Sequence, residues 1–366
     1  MLTISLCMIV KNEEKTLSNC LNSVKDLVDE IIIVDTGSED RTKEIAGEFT
    51  QNVYDFEWIN DFSAARNFSY SKATKDYILW LDADDVIKPE DRVKFQVLKE
   101  TLDPSVDAVM MKYNVGFDGK GNVTFSYFRE RLSKRSCGFL WMEPVHEFLK
   151  TSGRIVNSDI GITHAKIART SSDRNLKIYE ELVRSGKMLS PRGTYYYARE
   201  LKDHGKFKEA IRYFNMFLKS GLGWVEDNIS ACHALAFCYQ MEKRPLEALT
   251  TMFQSFRYDL PRGEICCQIG YQFKEQQNYR CAAFWFELAS TLKMPESSWG
   301  FIQKDYWGYI PFIECAVCYD RLGEYQKAYE FNEKAAAIKP WSPSVLQNRK
   351  YFEGRLGKTA PEAEAE

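Results

Sequence analysis

The segment Asp76-Tyr77-Ile78-Leu79-Trp80-Leu81-Asp82-Ala83-Asp84-Asp85 restricts the fold more than any other part of the chain. Its apolar run over 77–81 has the length of a buried strand and ends abruptly in the carboxylates Asp82, Asp84 and Asp85. Unpaired carboxylates inside a core cost many kcal/mol, so the strand has to emerge there at the edge of a sheet. In open α/β sheets the carboxyl ends of strands are where ligands bind. Asp82 and Asp84, two positions apart, share a face of an extended segment unless the following turn redirects them. Two hard oxygen ligands on one side suit magnesium or manganese, held jointly with a phosphate. The plainer alternative is an acidic turn that caps a helix beginning at Pro89 and Glu90.

A regular alternation surrounds that segment. A strand over 3–10 leads through a polar turn into a helix over 14–24, and a second strand over 30–34 is nearly all β-branched, as a strand buried on both faces should be. It ends in Asp35-Thr36-Gly37-Ser38-Glu39-Asp40, where Thr36 and Ser38 are placed to cap the helix that continues to Phe49 and Gly37 permits a tight backbone path. Strand, turn and helix, repeated, predict a nucleotide-binding half-sheet. The glycine fingerprints of dinucleotide and P-loop folds are missing, so neither reading has its motif.

Composition narrows the partners. A net charge of -3 gives no basis for nucleic-acid binding by bulk electrostatics. The 10 cysteines form no paired Cys-x-x-Cys sets at zinc spacing, and a chain of 366 residues has no need of a disulfide framework, which places it in a reducing, cytoplasmic setting. The apolar start over 1–10 lacks a basic lead-in and a small-residue cleavage site and meets Lys11-Asn12-Glu13-Glu14 too soon to span a bilayer, so it reads as a first strand rather than a transmembrane segment.

Four motifs carry a resemblance. Ser5-Leu6-Cys7-Met8-Ile9-Val10-Lys11-Asn12-Glu13, Ile31-Ile32-Ile33-Val34-Asp35-Thr36-Gly37-Ser38-Glu39-Asp40-Arg41-Thr42, Asp61-Phe62-Ser63-Ala64-Ala65-Arg66-Asn67 and Leu81-Asp82-Ala83-Asp84-Asp85 follow one another in the order and spacing of family 2 glycosyltransferases of the GT-A fold, which the first 170 or so residues resemble. The resemblance implies a UDP-sugar donor. Its uracil and ribose would be held by Val10, Asn12, Glu13 and Asp35, with Arg66 and Asn67 touching the donor nucleotide and Asp82 and Ala83 also at the donor. It also implies a divalent metal, Mn2+ or Mg2+, on Asp82 and Asp84. A carboxylate at position 35 suits ribose hydroxyls or a base imide, and a planar guanidinium suits phosphate or a base face; a helix cap at Asp35 and a surface helix arginine at Arg66 are the plainer alternatives.

Further along come a strand over 108–115, a turn at Asp118-Gly119-Lys120-Gly121-Asn122 and a strand over 122–132, and Arg129, Arg131, Lys134 and Arg135 form a local basic cluster at the end of this stretch. It faces the donor diphosphate or the acceptor, with a solvated strand face as the plainer alternative. Gly138-Phe139-Leu140-Trp141-Met142-Glu143-Pro144-Val145-His146-Glu147-Phe148 resembles the element that supplies the acceptor's base in inverting GT-A enzymes, with Glu147 the first candidate and Glu143 the second. A short strand over 159–164 ends in His164, where the resemblance implies a further metal ligand; a hydrogen-bonded loop histidine is the alternative.

From about residue 170 strand-like runs give way to helices of 3.6-residue period. The turns before Ala210, Ala248, Ala282 and Ala328 align as a degenerate repeat, with spacings of 38, 34 and 46 residues. That resembles the tetratricopeptide repeat with insertions. The predicted architecture is therefore an α/β GT-A domain, Rossmann-like, over 1–168, an all-α tetratricopeptide-repeat domain over 169–354 and a disordered tail over 355–366. A loop over 295–307, rich in Trp, Ser and Gly, reads as functional. The pairing resembles bacterial peptide glycosyltransferases of the glycocin type, implying a Cys or Ser acceptor on a peptide or protein contacted by the repeats. A transferase for cell-surface polysaccharide or lipid-linked glycan, a repeat scaffold with an inactive catalytic domain, and a homodimer formed through the repeats are the alternatives.

Overall fold

The computed structural model describes residues 2–117, 121–165, 173–294 and 302–357. Part of the turn at 118–122, the expected boundary at 168/169, residues 295–301 of the expected loop and most of the expected tail lie outside these residues. The chain divides into two compact units, one ending at Tyr196 and the next beginning at Tyr197.

The first unit is built on a mixed sheet. Its strands are β1 (Ile4–Val10), β2 (Glu30–Asp35), β3 (Val53–Asp55), β4 (Tyr77–Trp80), β5 (Asp85–Ile87), β6 (Ala108–Phe117), β7 (Val123–Lys134) and β10 (Ile155–His164); β8 (Trp141–Met142) and β9 (Phe148–Leu149) pair separately. The order across the sheet is β3-β2-β1-β4-β7-β6-β10-β5. The first four run parallel, β7 is antiparallel to both neighbours, and β5 is antiparallel to β10. The helices α1 (Leu17–Val24), α2 (Thr42–Gly47), α3 (Phe62–Ser71), α4 (Pro89–Thr101) and α5 (Arg174–Arg184) belong to this unit.

Sequence pattern explains the packing. Leu17, Cys20, Leu21 and Val24 recur at helical spacing on α1 and are all buried in the core that contains Leu6 and Met8 of β1. Each such aliphatic side chain, fully buried, contributes about 1.5–3 kcal/mol. Three short elements differ from the sequence reading. Thr36 and Ser38 do not cap α2: the Thr36 hydroxyl donates to the Val10 carbonyl, Ser38 Oγ accepts from Asn12 N, and Asp40 accepts the Thr42 amide. The acidic turn does not run straight into α4, because Asp85–Ile87 forms a strand first. Helix α14 (Pro343–Leu356) reaches past residue 354, into what was read as tail.

The second unit is helical. It contains the later part of α6 (Pro191–Asp203), then α7 (Phe207–Ser220), α8 (Val225–Met241), α9 (Pro245–Gln254), α10 (Gly263–Glu275), α11 (Tyr279–Thr291), α12 (Tyr309–Arg321), α13 (Tyr325–Ile338) and α14. Ala210, Ala248, Ala282 and Ala328 are all fully buried, which lets paired helices approach closely. Five positions before each, Gly205, Lys243, Gln277 and Gly323 take positive φ. The repeat is thus a conserved backbone geometry within the chain, held by glycine in the outer turns and by ordinary side chains in the inner two, where the left-handed conformation costs roughly 1–2 kcal/mol.

Helix α10 packs against α11 through a glycine. A Cβ added at Gly270 would lie 2.9 Å from ring carbons of Phe286, which is completely buried. Gly270→Ala gains about 1 kcal/mol of helix propensity but overpacks a ring that cannot retreat, at a cost of about 1–3 kcal/mol. The expected result in urea denaturation is a net loss of stability, partly restored when Phe286→Leu is added.

Candidate functional site

The acidic turn is shaped by its own backbone. After β4, the Asp85 amide donates to the Asp82 carbonyl and the Asp82 amide to Asp85 Oδ2, both at 3.0 Å. Strand β5 then pairs antiparallel with the end of β10, and the register sets Asp85 opposite His164. The Ala165 amide closes the junction on the Asp84 carbonyl at 2.8 Å. As a result His164 Nδ1 lies 3.5 Å from Asp84 Oδ1 and 3.9 Å from Asp85 Oδ1. Among the described residues Asp84, Asp85 and His164 form a group whose ligand atoms lie within 4.8 Å of one another.

This group fits a divalent cation on structural grounds. His164 Nδ1 and Asp85 Oδ1 are buried atoms with no hydrogen-bond partner, and such atoms ordinarily have one. Asp84 beside it raises the pKa of His164 against the opposing effect of burial. The other oxygen of Asp85 is held by Arg131 at 2.9 Å, in an ion pair with both side chains at 0% exposure. Of the sequence-predicted ligands, Asp84 and His164 come together here; the Asp82 carboxylate turns to another partner.

That partner is Arg66. Its Nη2 lies 2.7 Å from Asp82 Oδ1 and its Nε 2.7 Å from Glu147 Oε1. The guanidinium sits over the rings of Trp80 and Trp141, 4.7 Å from each centroid. Burial opposes its charge, but Asp82 and Glu147 raise its pKa regardless. Burial likewise works to raise the Asp82 pKa, yet Arg66 and then Arg131 hold it down to about 2. Arg66 is positioned by α3, whose first turn Asp61 caps through the Ala64 amide. Asn67, next in sequence, is absent from the cleft: its side chain exchanges two hydrogen bonds with the Trp141 backbone, at 2.8 and 3.0 Å, and so locks α3 to β8.

The turns after β1 and β2 are laced together. Asn12, at φ +55°, donates its amide to Ser38 Oγ and accepts from Glu39 N, while the Glu13 amide donates to Thr42. Asp35 is buried; Oδ1 accepts the Gly37 and Ser38 amides, and Oδ2 has no hydrogen-bond partner. A cleft of ≈ 580 Å³ runs past these elements, and its walls include Val10, Asn12, Glu13, Arg66, Asp82, Ala83, Asp84 and Glu147. Asp35 lies just behind it, next to the lining residue Thr36.

The loop carrying the two candidate bases has a forced path. Glu143 and His146 both have positive φ, at +75° and +53°. Strain of this kind persists only where surroundings impose it. Here the Tyr179 hydroxyl donates to the Val145 carbonyl, Arg192 Nε to the His146 carbonyl, and the His146 ring stacks on Tyr196 at 4.3 Å. Glu143 Oε1 accepts the Ser190 hydroxyl at 2.5 Å, outside the cleft, whereas Glu147 lines it. Of the basic cluster, Arg129 reaches the cleft, Arg131 is buried beneath it, and Lys134 and Arg135 bond the carbonyls of Pro104 and Lys75 elsewhere.

Sequence reasoning passed over Asp85, Trp141 and the contributions of Ser190, Arg192 and Tyr196. Asp85 was visible as a third carboxylate, but the strand that aims it is three residues long and has no pattern of its own. The contacts from 190–196 left no local signal.

A family model described as Glycosyl transferase family 2 matches residues 5–176. The chain is 31% identical over 222 residues to the SPbeta prophage-derived glycosyltransferase SunS of Bacillus subtilis, covering 58% of this chain and 52% of SunS. It is 54% identical over 85 residues to a TPR repeat-containing protein of Synechococcus elongatus, covering 23% of this chain and 21% of the relative. The chain thus spans about half the length of SunS and about a fifth of the other. Among solved structures, the C-terminal part of a TPR repeat-containing protein from Cytophaga hutchinsonii is similar at 16% identity and a TM-score of 0.41, over 50% of this chain and 65% of that one. No helix among the described residues is long and apolar enough to cross a membrane.

The buried ion pair beneath the cleft is open to test. Arg131→Met leaves the buried Asp85 carboxyl without its ion-pair partner and is expected to cost about 3–5 kcal/mol in chemical denaturation. Adding Asp85→Leu should recover most of that loss, because an apolar pair of similar volume replaces the ionic one.

Proposed function

Because residues 5–176 are a family 2 glycosyl transferase domain, we propose that the chain moves a sugar from a UDP-sugar to a cysteine or serine of a peptide, by a single displacement that inverts the anomeric carbon and depends on Mn2+ or Mg2+. The observation that carries this reading is one cleft that gathers the turn after β1, the acidic turn after β4 and Glu147. The likeness to SunS supports glycosyl transfer. A helical-repeat unit of the kind that commonly presents a concave surface to peptides supports the acceptor class. A cytoplasmic setting goes with it, since a reducing compartment keeps thiols such as Cys266 and Cys267 unpaired.

Asp84, Asp85 and His164 would hold the ion, with Asp82 beside them. When bound there, a divalent cation neutralises negative charge gathering on the departing diphosphate. The chain's own residues do the rest. Val10, Asn12 and Glu13 form the wall that receives the nucleoside, with the unpartnered oxygen of Asp35 behind it for a hydroxyl or imide donor. Glu147 takes the acceptor's proton. Its Oε1 is fixed by Arg66 at 2.7 Å, so the proton goes to Oε2 and the carboxylate cannot swing away. Arg66 thereby acts as a strut between Asp82 and the base, a different duty from the direct grip on phosphate that its residue type suggests. A thiol, with a reference pKa of about 8.5, is already partly ionised near neutrality and needs this base less than a hydroxyl does.

Glu147→Gln is expected to lower turnover on a serine peptide by roughly 100-fold or more, to lower it less on a cysteine peptide, and to leave UDP-sugar binding nearly intact. The product sugar, read by nuclear magnetic resonance, should have the anomeric configuration opposite to the donor; retention would rule out single displacement. In the same assay an excess of chelator, or Asp84→Asn, should abolish transfer without changing the circular dichroism of the folded chain, and full activity under chelation would remove the ion from the mechanism.

A further inference from the structure

Three guanidinium groups surround the indole of Trp80: Arg131 at 3.8 Å, Arg66 at 4.7 Å and Arg129 at 4.9 Å from the ring centroid. Trp80 itself is clamped, with 1% of its surface exposed and Nε1 donating to the Glu130 carbonyl at 2.5 Å. Two of the three cations have close counter-ions. Arg131 is paired with Asp85 at 2.9 Å and fully buried, and Arg66 is paired with both Asp82 and Glu147 at 2.7 Å. Arg129 is held less closely by carboxylates, although Tyr127 bonds it and Glu147 adds to the field around it. The carboxylate contact it makes is to its own neighbour Glu130 at 3.7 Å, a distance beyond a hydrogen bond, and Glu130 spends its other oxygen on the Leu149 amide. Its side chain keeps 25% exposure and lines the cleft.

We propose that Arg129 is the diphosphate-binding residue of this cleft, the cation that pairs with the donor's phosphate oxygens while Arg66 and Arg131 remain tied to carboxylates. The assignment rests on the UDP-sugar reading above and deepens it. The register of β7 against β6 shifts at Arg131, yet Arg129 and Arg131 both reach the Trp80 ring, so one strand supplies a buried cation that fixes the acidic turn and an accessible one that meets the ligand. The stacking of Arg129 on Trp80 holds the guanidinium plane in place before the ligand arrives, which suits the planar, two-point recognition of a phosphate. Lys11 and Arg174 also line the cleft. Lys11 stands exposed on its turn and Arg174 sits over Phe62 at 4.6 Å, so neither shares the Trp80 ring that leads into the acidic turn.

Calorimetry in manganese buffer, with UDP and uridine as the two probes, tests this on the full chain. Arg129→Gln is expected to weaken UDP by roughly tenfold to a hundredfold, the contribution of one charge-assisted contact, and to leave uridine affinity unchanged. Arg129→Lys, which keeps the charge and loses the fork, should fall between. Unchanged UDP affinity in Arg129→Gln would overturn the assignment and leave the donor reading standing. Equal weakening of UDP and uridine would make Arg129 merely structural and also overturn it. If the unaltered protein bound neither probe, the donor reading itself would fall.

Discussion

The ion pair between Arg131 and Asp85 is the interaction on which the site depends. Both side chains are completely buried, and taking two charges out of water is costly unless geometry and further hydrogen bonds repay it. Here the repayment is organisational. Asp85 Oδ2 also accepts the Asp82 amide, so the pair fixes the turn that carries Asp82 and Asp84. Asp85 begins β5, and β5 brings in His164 through its register with β10. One buried cation on β7 therefore determines where the carboxylates at the end of β4 stand.

A second layer is built on the first. Arg66 cross-links Asp82 to Glu147, and the tryptophans beneath it bury its guanidinium, while Asp82 stays partly open to solvent. The low local dielectric that makes such charges expensive also makes each attraction stronger. The cleft is thus a lattice of alternating charges in which single groups have little freedom to move. Its geometry is prepared before any ligand enters, which is the condition under which electrostatic stabilisation of a reaction costs no reorganisation.

Much of this was legible in the chain itself, for a physical reason. Buried parallel strands such as Glu30–Asp35 leave long apolar runs, and a carboxylate at the end of one has few places to go, so Asp35, Asp82 and Asp84 could be placed without coordinates. The helical repeat could be read because its alanines, Ala210 to Ala328, are forced by helix contact. What escaped were short or distant determinants. Asp85 was read as part of a turn because the β5 strand is too short to show alternation. Asn67 has the residue type of a ligand-binding amide, yet its partner is a backbone 74 positions away. Arg66 and Arg129 look alike in sequence; in the fold Arg66 is held by Asp82 and Glu147 at 2.7 Å, whereas Arg129 meets Glu130 at 3.7 Å.

The loop that bears Glu147 is held by Tyr179 of α5 and by Ser190, Arg192 and Tyr196, all within the first compact unit. The family match stops at residue 176. The stretch matched by the family model is therefore shorter than the stretch needed to give the loop its shape. Any lineage that traded one helical array for another would have had to carry residues up to Tyr196 along with the sheet, or invent a new clasp for the loop. In this chain the piece that carries the loop's supports is longer than the piece the family model matches.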